Sequence, residues 1–229
     1  MLEALDAARL AQNRCLFGGG TAIALRFGEY RESVDIDFLV SDVAGYRGLR
    51  QLLTGPDGLR AITRPGAALH AVREVRADQY GIRTILAAEQ AEIKFEIVLE
   101  ARFQLQPPGN ADCVCGIATL TPLDMATSKL LANSDRWADD SAASRDLIDL
   151  AMMQPRAKLL KQAIEKAQCA YGESVEADLT RAIGQLLSRE GRLERCMAAM
   201  RISVPKAVLW QRIKALALAV AKPRSPSPS

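Results

Sequence analysis

The chain has 229 residues, 49% of them hydrophobic and 25% charged, with a net charge of +3, which suits one large or two small globular domains with real cores. It has no run of about 18 apolar residues, and its start, MLEALDAARLAQN, is charged and amphipathic; a membrane span and a signal peptide are therefore excluded, and a cytoplasmic protein is expected. Five scattered cysteines and a single histidine, His70, argue against a zinc site, and any Ser-His or Cys-His mechanism would have to use His70.

Leu2 to Gln12 reads as an amphipathic helix packed beside a strand that begins at Cys15. The stretch Phe17 to Val40, FGGGTAIALRFGEYRESVDIDFLV, then predicts strand, glycine turn, helix, loop and strand. Gly18, Gly19 and Gly20 permit positive φ and close approach to the backbone, and the helix opening at Thr21 offers free N–H groups and a positive dipole end to a phosphate. The segment matches neither a Walker loop nor a Rossmann fingerprint. Val34, Ile36, Phe38 and Val40 alternate with Asp35, Asp37 and Leu39, the period of a half-buried strand. Residues two apart on a strand share a face, so Asp35 and Asp37 project side by side. Their repulsion calls for a cation, and Mg²⁺ (or Mn²⁺) suits two carboxylates.

Beyond Val40, Ser41 and Asp42 are N-cap candidates for a helix running to Leu53, ended by TGPDG. Residues 60 to 100 alternate in short runs that predict further strands, the last being EIKFEIVLE. There Ile93, Phe95, Ile97 and Leu99 face one way, and Glu96 stands on the other face of a half-buried strand, with Glu100 as a rival acid. His70, in LHAVREV, reads as a structural or surface residue, which leaves acid–base work to carboxylates or a lysine. A last short strand in CVCGIATL ends a first domain, 1–120. Helices fill a second, 121–222: Pro122 to Ser134, Asp140 to Met153, and four more to Lys222. The Pro/Ser-rich residues 223–229 are expected to be disordered.

Charge is uneven along the chain. Residues 1–154 carry 16 Lys and Arg against 21 Asp and Glu, a net −5, and residues 155–229 carry 14 against 6, a net +8. An acidic, metal-using front and a basic helical back suit an enzyme acting on an anionic polymer.

The spacing of GGTAI and R-x-S-x-D-I-D-F resembles the AbiEii/AbiGii nucleotidyltransferase toxins, a branch of the polymerase-β-like superfamily; PLDMATSKL followed by RDLIDL repeats that family's later pattern. Gly18 stands where the family commonly has lysine. The resemblance implies an α/β (α+β) nucleotidyltransferase domain with a mixed sheet, then an all-helical C-terminal domain, with the active site in a cleft between them. It implies Asp35, Asp37 and Glu96 as metal ligands and catalytic carboxylates. Gly19, Gly20, Thr21, Ser33 and Lys129 would bind a nucleoside triphosphate such as ATP. Asp146 would be a second-module catalytic acid, and Asp149 would orient Arg145 or Lys129. It further implies a toxin neutralised by an antitoxin protein, with tRNA as one acceptor. A protein or small-molecule (antibiotic) acceptor, and a non-catalytic nucleotide-binding module, remain alternative readings of the same residues.

Overall fold

A computed structural model describes residues 1–88 and 91–221; the tail predicted to be disordered at 223–229 lies outside the described residues. The chain divides into two compact units, Met1–Met125 and Ala126–Ser229.

The first unit is built on a mixed sheet that, among the described residues, has six strands. These are β1 (Leu16–Gly18), β2 (Ile36–Val40), β3 (His70–Ala71), β4 (Arg76–Ala77), β5 (Gly81–Ala88) and β6 (Ala91–Leu99). Their order is β1-β2-β6-β5-β3, with β4 also on β5; β2 and β6 run parallel and the other pairs antiparallel. The interior strand β2 is buried on both faces over Phe38, Leu39 and Val40, as expected of a strand flanked on each side. Phe17, Phe38 and Phe95 touch across β1, β2 and β6, with ring centroids 5.5 and 5.7 Å apart, and anchor the apolar face.

Helix α1 (Ala7–Gln12) is capped by Asp6, whose carboxylate accepts from Arg9 N–H. The single helix expected over Leu2–Gln12 is therefore broken: Leu2–Ala4 forms a 3₁₀ turn, and Leu5 bridges to Thr63. Helix α2 (Gly19–Arg26) follows β1 directly, and α3 (Val43–Thr54) starts on Asp42, which accepts from the N–H groups of Ala44 and Gly45. The strand expected in CVCGIATL is a small hairpin, β7 (Cys113–Val114) with β8 (Ile117–Ala118). Arg26 at the end of α2 ties down this region, donating to Thr119 Oγ1 (2.9 Å), the Leu120 carbonyl (3.0 Å) and Asp112 (2.9 Å).

Helix α4 (Pro122–Arg136) leads into the second unit, which contains α5 (Arg145–Met153), α6 (Ala157–Tyr171), α7 (Ser174–Ser188), α8 (Arg192–Ala199) and α9 (Lys206–Ala221). The helix expected over Asp140–Met153 is split. Asp140–Ala142 is a 3₁₀ turn, Ala143 and Ser144 both take left-handed φ (50° and 52°), and α5 begins only at Arg145. Every residue of α5 from Asp146 to Met153 is buried, so it is the core helix of this unit. Helix α9 buries Leu209, Ile213 and Leu216, a stripe of helical period, with about 1.5–3 kcal/mol from each fully buried side chain. Among the described residues no helix is long and apolar enough to cross a membrane.

Candidate active site

The register of the sheet assembles what the sequence holds far apart. Gly18 of β1 pairs with Asp37 of β2, Asp37 with Glu96 of β6, Glu96 with Arg83 of β5, and Arg83 with Arg76 of β4. Cross-strand partners share a face, so one row carries glycine, two carboxylates and two guanidiniums. Phe17, Phe38 and Ile97, each one residue along in the same strands, turn the opposite way into the core. Glu96, inferred from a single strand, thus stands directly beside Asp37.

Gly19 brings the glycine turn to the same point. Its φ is +68°, and a Cβ there would lie 2.8 Å from Asp37 Cβ and closer still to Asp37 Oδ2. Only glycine lets the first turn of α2 approach the carboxylate so closely. The predicted phosphate turn and the predicted metal ligand are therefore adjacent. Gly19→Ala is expected to cost about 1–3 kcal/mol of backbone strain and to displace Asp37. Thermal unfolding together with nucleotidyl transfer checks it: an active Gly19→Ala protein would contradict this placement.

Thr21 and Ser33 lock the second acid in place. The Thr21 hydroxyl donates to the Asp35 carbonyl, and Ser33 Oγ lies 2.8 Å from the same hydroxyl. A hydroxyl has one proton to give, so Ser33 is the donor of that pair. Both residues, expected to bind nucleotide, clamp the backbone of Asp35 to α2. The strand itself is shorter than the alternation suggested: β2 starts at Ile36, Val34 is 60% exposed, and Asp35 is an exposed residue at the entrance.

Glu96 is already partnered. Arg83 Nε and Lys94 Nζ each lie 2.5 Å from one of its oxygens. Burial alone would raise the Glu96 carboxyl, but these two cations bring it below the ordinary carboxylate value. Burial would lower Lys94, yet the hydrogen bond and charge of Glu96, with Asp37 and Asp35 behind it, raise it above the usual lysine value. Lys94 thus senses all three acids. Among the described residues no three His, Cys, Asp or Glu side chains form a metal cage on their own. The rival acid Glu100 lies one residue beyond β6, 2% exposed, gripped by the backbone and guanidinium of Arg102.

In the second unit, Lys129 of α4 is buried, its ammonium 3.0 Å from Asp146 and 2.7 Å from Asp149 on α5. Arg136, two turns along α4, adds a bidentate grip on Asp146 at 2.6 and 2.9 Å. Burial would raise Asp146, but Lys129 and Arg136 outweigh it and hold it at about 2. Lys129 is raised despite its burial, by Asp149 first and then Asp146. Lys129, Asp146 and Asp149, chosen on the later motif, are therefore one ionic network, and it is Lys129 and Arg136 that bind the acids.

The family model for the nucleotidyl transferase AbiEii toxin of type IV toxin–antitoxin systems matches residues 2–219. The chain belongs to the AbiEii family. Two solved structures from Helicobacter pylori share its fold: JHP933, 18% identical with a TM-score of 0.51 over 93% of this chain and 85% of that one, and a candidate nucleotidyltransferase, 18% identical with a TM-score of 0.52 over 93% and 88%. No curated protein sequence matches the chain.

The AbiEii toxins are nucleotidyltransferases of type IV toxin–antitoxin systems. This chain's departure at Gly18 has a structural reason: a Cβ there would meet Leu39 Cδ1 at 2.6 Å and Leu120 Cδ1 at 2.9 Å, so apolar side chains fill the space. Sequence reading missed Arg83 and Lys94. Lys94 was legible as the same-face neighbour of Glu96 two residues earlier, whereas Arg83 reaches Glu96 only through the β5–β6 register. His70 is exposed on β3, as expected of a surface residue.

Proposed function

We propose that this AbiEii chain transfers a nucleotidyl group from a nucleoside triphosphate to an acceptor, with RNA such as tRNA as the acceptor class and a cognate antitoxin as its regulator. The observation that carries the reading is the seating of Asp37 against Gly19, which sets a carboxylate beside a helix N-terminus suited to phosphate. Phosphoryl chemistry asks chiefly for positioning and charge neutralisation, and neither demands a histidine.

Mg²⁺ or Mn²⁺ fits the donors present. Mg²⁺ is commonly held by one or two carboxylates completed by phosphate oxygens and water, and Asp35 and Asp37 supply that number. Bound there, the ion would neutralise charge shared between the carboxylates and the phosphates. The chain's own residues do the rest. Gly19 and Gly20 offer backbone donors, Thr21 and Ser33 hold Asp35 in place, and Lys94 supplies a mobile positive charge, 48% exposed, beside the acids. Glu96, neutralised by Arg83 and Lys94, positions that lysine and completes the acidic set when Lys94 turns to phosphate.

The test is pyrophosphate release from each nucleoside triphosphate with acceptor RNA, in Mg²⁺, in Mn²⁺ and with a chelator. Release that needs the divalent ion and fails in Asp35→Asn and Asp37→Asn is expected. Release that persists in both variants would overturn the site. A non-catalytic module predicts no release and an unchanged cellular phenotype in the double variant.

A further inference from the structure

The helical unit holds a cavity, lined by two arginines among apolar surface, that the chemistry above does not use. One face of α8 presents Arg192, Arg195, Cys196 and Ala199, spaced i, i+3, i+4 and i+7. This face meets the turn carrying Asp140 and Ala143 around a cavity of about 210 Å³. Arg192 is only 6% exposed, its Nη1 lies 2.5 Å from Asp140, and its Nε has no hydrogen-bond partner. Asp140 returns one negative charge, and Arg189 and Arg195 add positive field around it, leaving the cavity net cationic. The wall next to it is strained, because Ala143 and Ser144 are consecutive non-glycine residues at φ 50° and 52°.

We infer that this cavity binds one phosphate group of the RNA acceptor, through Arg192 and Arg195; the inference rests on the RNA reading given above. An arginine fork suits the planar recognition of phosphate oxygens better than a lysine would. The surrounding sequence agrees, since residues 155–229 carry 14 Lys and Arg against 6 Asp and Glu. A phosphate there fixes one point of the RNA backbone without reading its sequence.

Binding of a transcribed tRNA to the full chain, titrated across salt concentrations, tests this with wild type, Arg195→Ala and Arg192→Lys. Arg195→Ala is expected to weaken tRNA binding about five- to tenfold at ~0.1 M salt. It should also flatten the slope of log affinity against log salt by about 0.7–0.9, the signature of one lost phosphate contact. Arg192→Lys, which keeps the charge and loses the fork, should weaken binding with a smaller change in slope. Wild-type affinity and slope in both arginine variants, with thermal unfolding unchanged, would overturn the cavity assignment alone. No tRNA binding by wild type at low salt would overturn the RNA reading and the cavity with it. Inorganic phosphate that raises the unfolding temperature of wild type but not of Arg195→Ala, with tRNA binding equal in the two, would reassign the cavity to a free anion and overturn the proposal.

Discussion

Asp37→Asn should lower nucleotidyl transfer by about 100- to 1,000-fold while leaving the protein folded. Asp37 sits at the centre of the cross-sheet row, between the positive-φ Gly19 and Glu96, where a carboxylate meets the start of a helix. Removing one group placed against charge that develops in the transition state commonly costs about 2.7–4 kcal/mol of barrier. The amide is nearly isosteric and the residue is only half-buried, so stability should move by roughly 0.5 kcal/mol or less. Single-turnover transfer and thermal unfolding on one preparation separate the two effects. Full activity in Asp37→Asn would remove the acid from the chemistry, and an unfolded protein would make it a structural residue.

Lys129→Met should have the opposite profile, with stability lost first. Asp149 is fully buried and Asp146 is 3% exposed, and both hold the same ammonium, so Lys129→Met removes a shared cation from two buried carboxylates. Breaking a buried ion pair from one side costs roughly 3–5 kcal/mol, a large share of a domain's stability. Urea unfolding followed by far-ultraviolet dichroism checks this; a variant as stable as wild type would contradict the buried network. The same network sets a pH dependence. Asp146 is held at about 2 against an ordinary 3.8, so it stays ionised in the folded state where the unfolded chain takes up a proton. Its stabilisation is therefore complete above about pH 4 and is lost as pH falls from there towards 2. Lys129, raised above its ordinary value, works in reverse: its contribution is present below about 10.5 and fades as pH rises through the folded value. Asp146→Asn should shrink the acid limb of the stability profile measured by urea unfolding against pH, leaving the part that the lowered Glu96 contributes.

The chemistry-bearing pieces of the first unit were legible because each is local. A glycine turn before a helix and an Asp-Ile-Asp on a strand are short-range patterns, and the alternation around Glu96 marks a strand by itself. The way they meet was not legible, since it depends on the register of β2 against both β1 and β6, which local sequence does not specify. Thr21 and Ser33 show the same limit: the spacing marks them, but only the fold reveals hydroxyls spent on the Asp35 backbone. Helix periodicity found four helices after Met153, and the structure has α6 to α9 there. It failed at Ala143 and Ser144, whose left-handed backbone breaks a run that reads as continuous helix. The burial of Lys129 also escaped the pattern, because a lysine is expected at the surface until two carboxylates on another helix are found to hold it.

The most direct test is incubation with each α-labelled nucleoside triphosphate, Mg²⁺ and total RNA, beside Asp37→Asn. Label joined to RNA by wild type and absent from Asp37→Asn is the expected result. Label found in protein or small molecules alone would contradict the RNA acceptor, and transfer by Asp37→Asn at the wild-type rate would contradict the site itself.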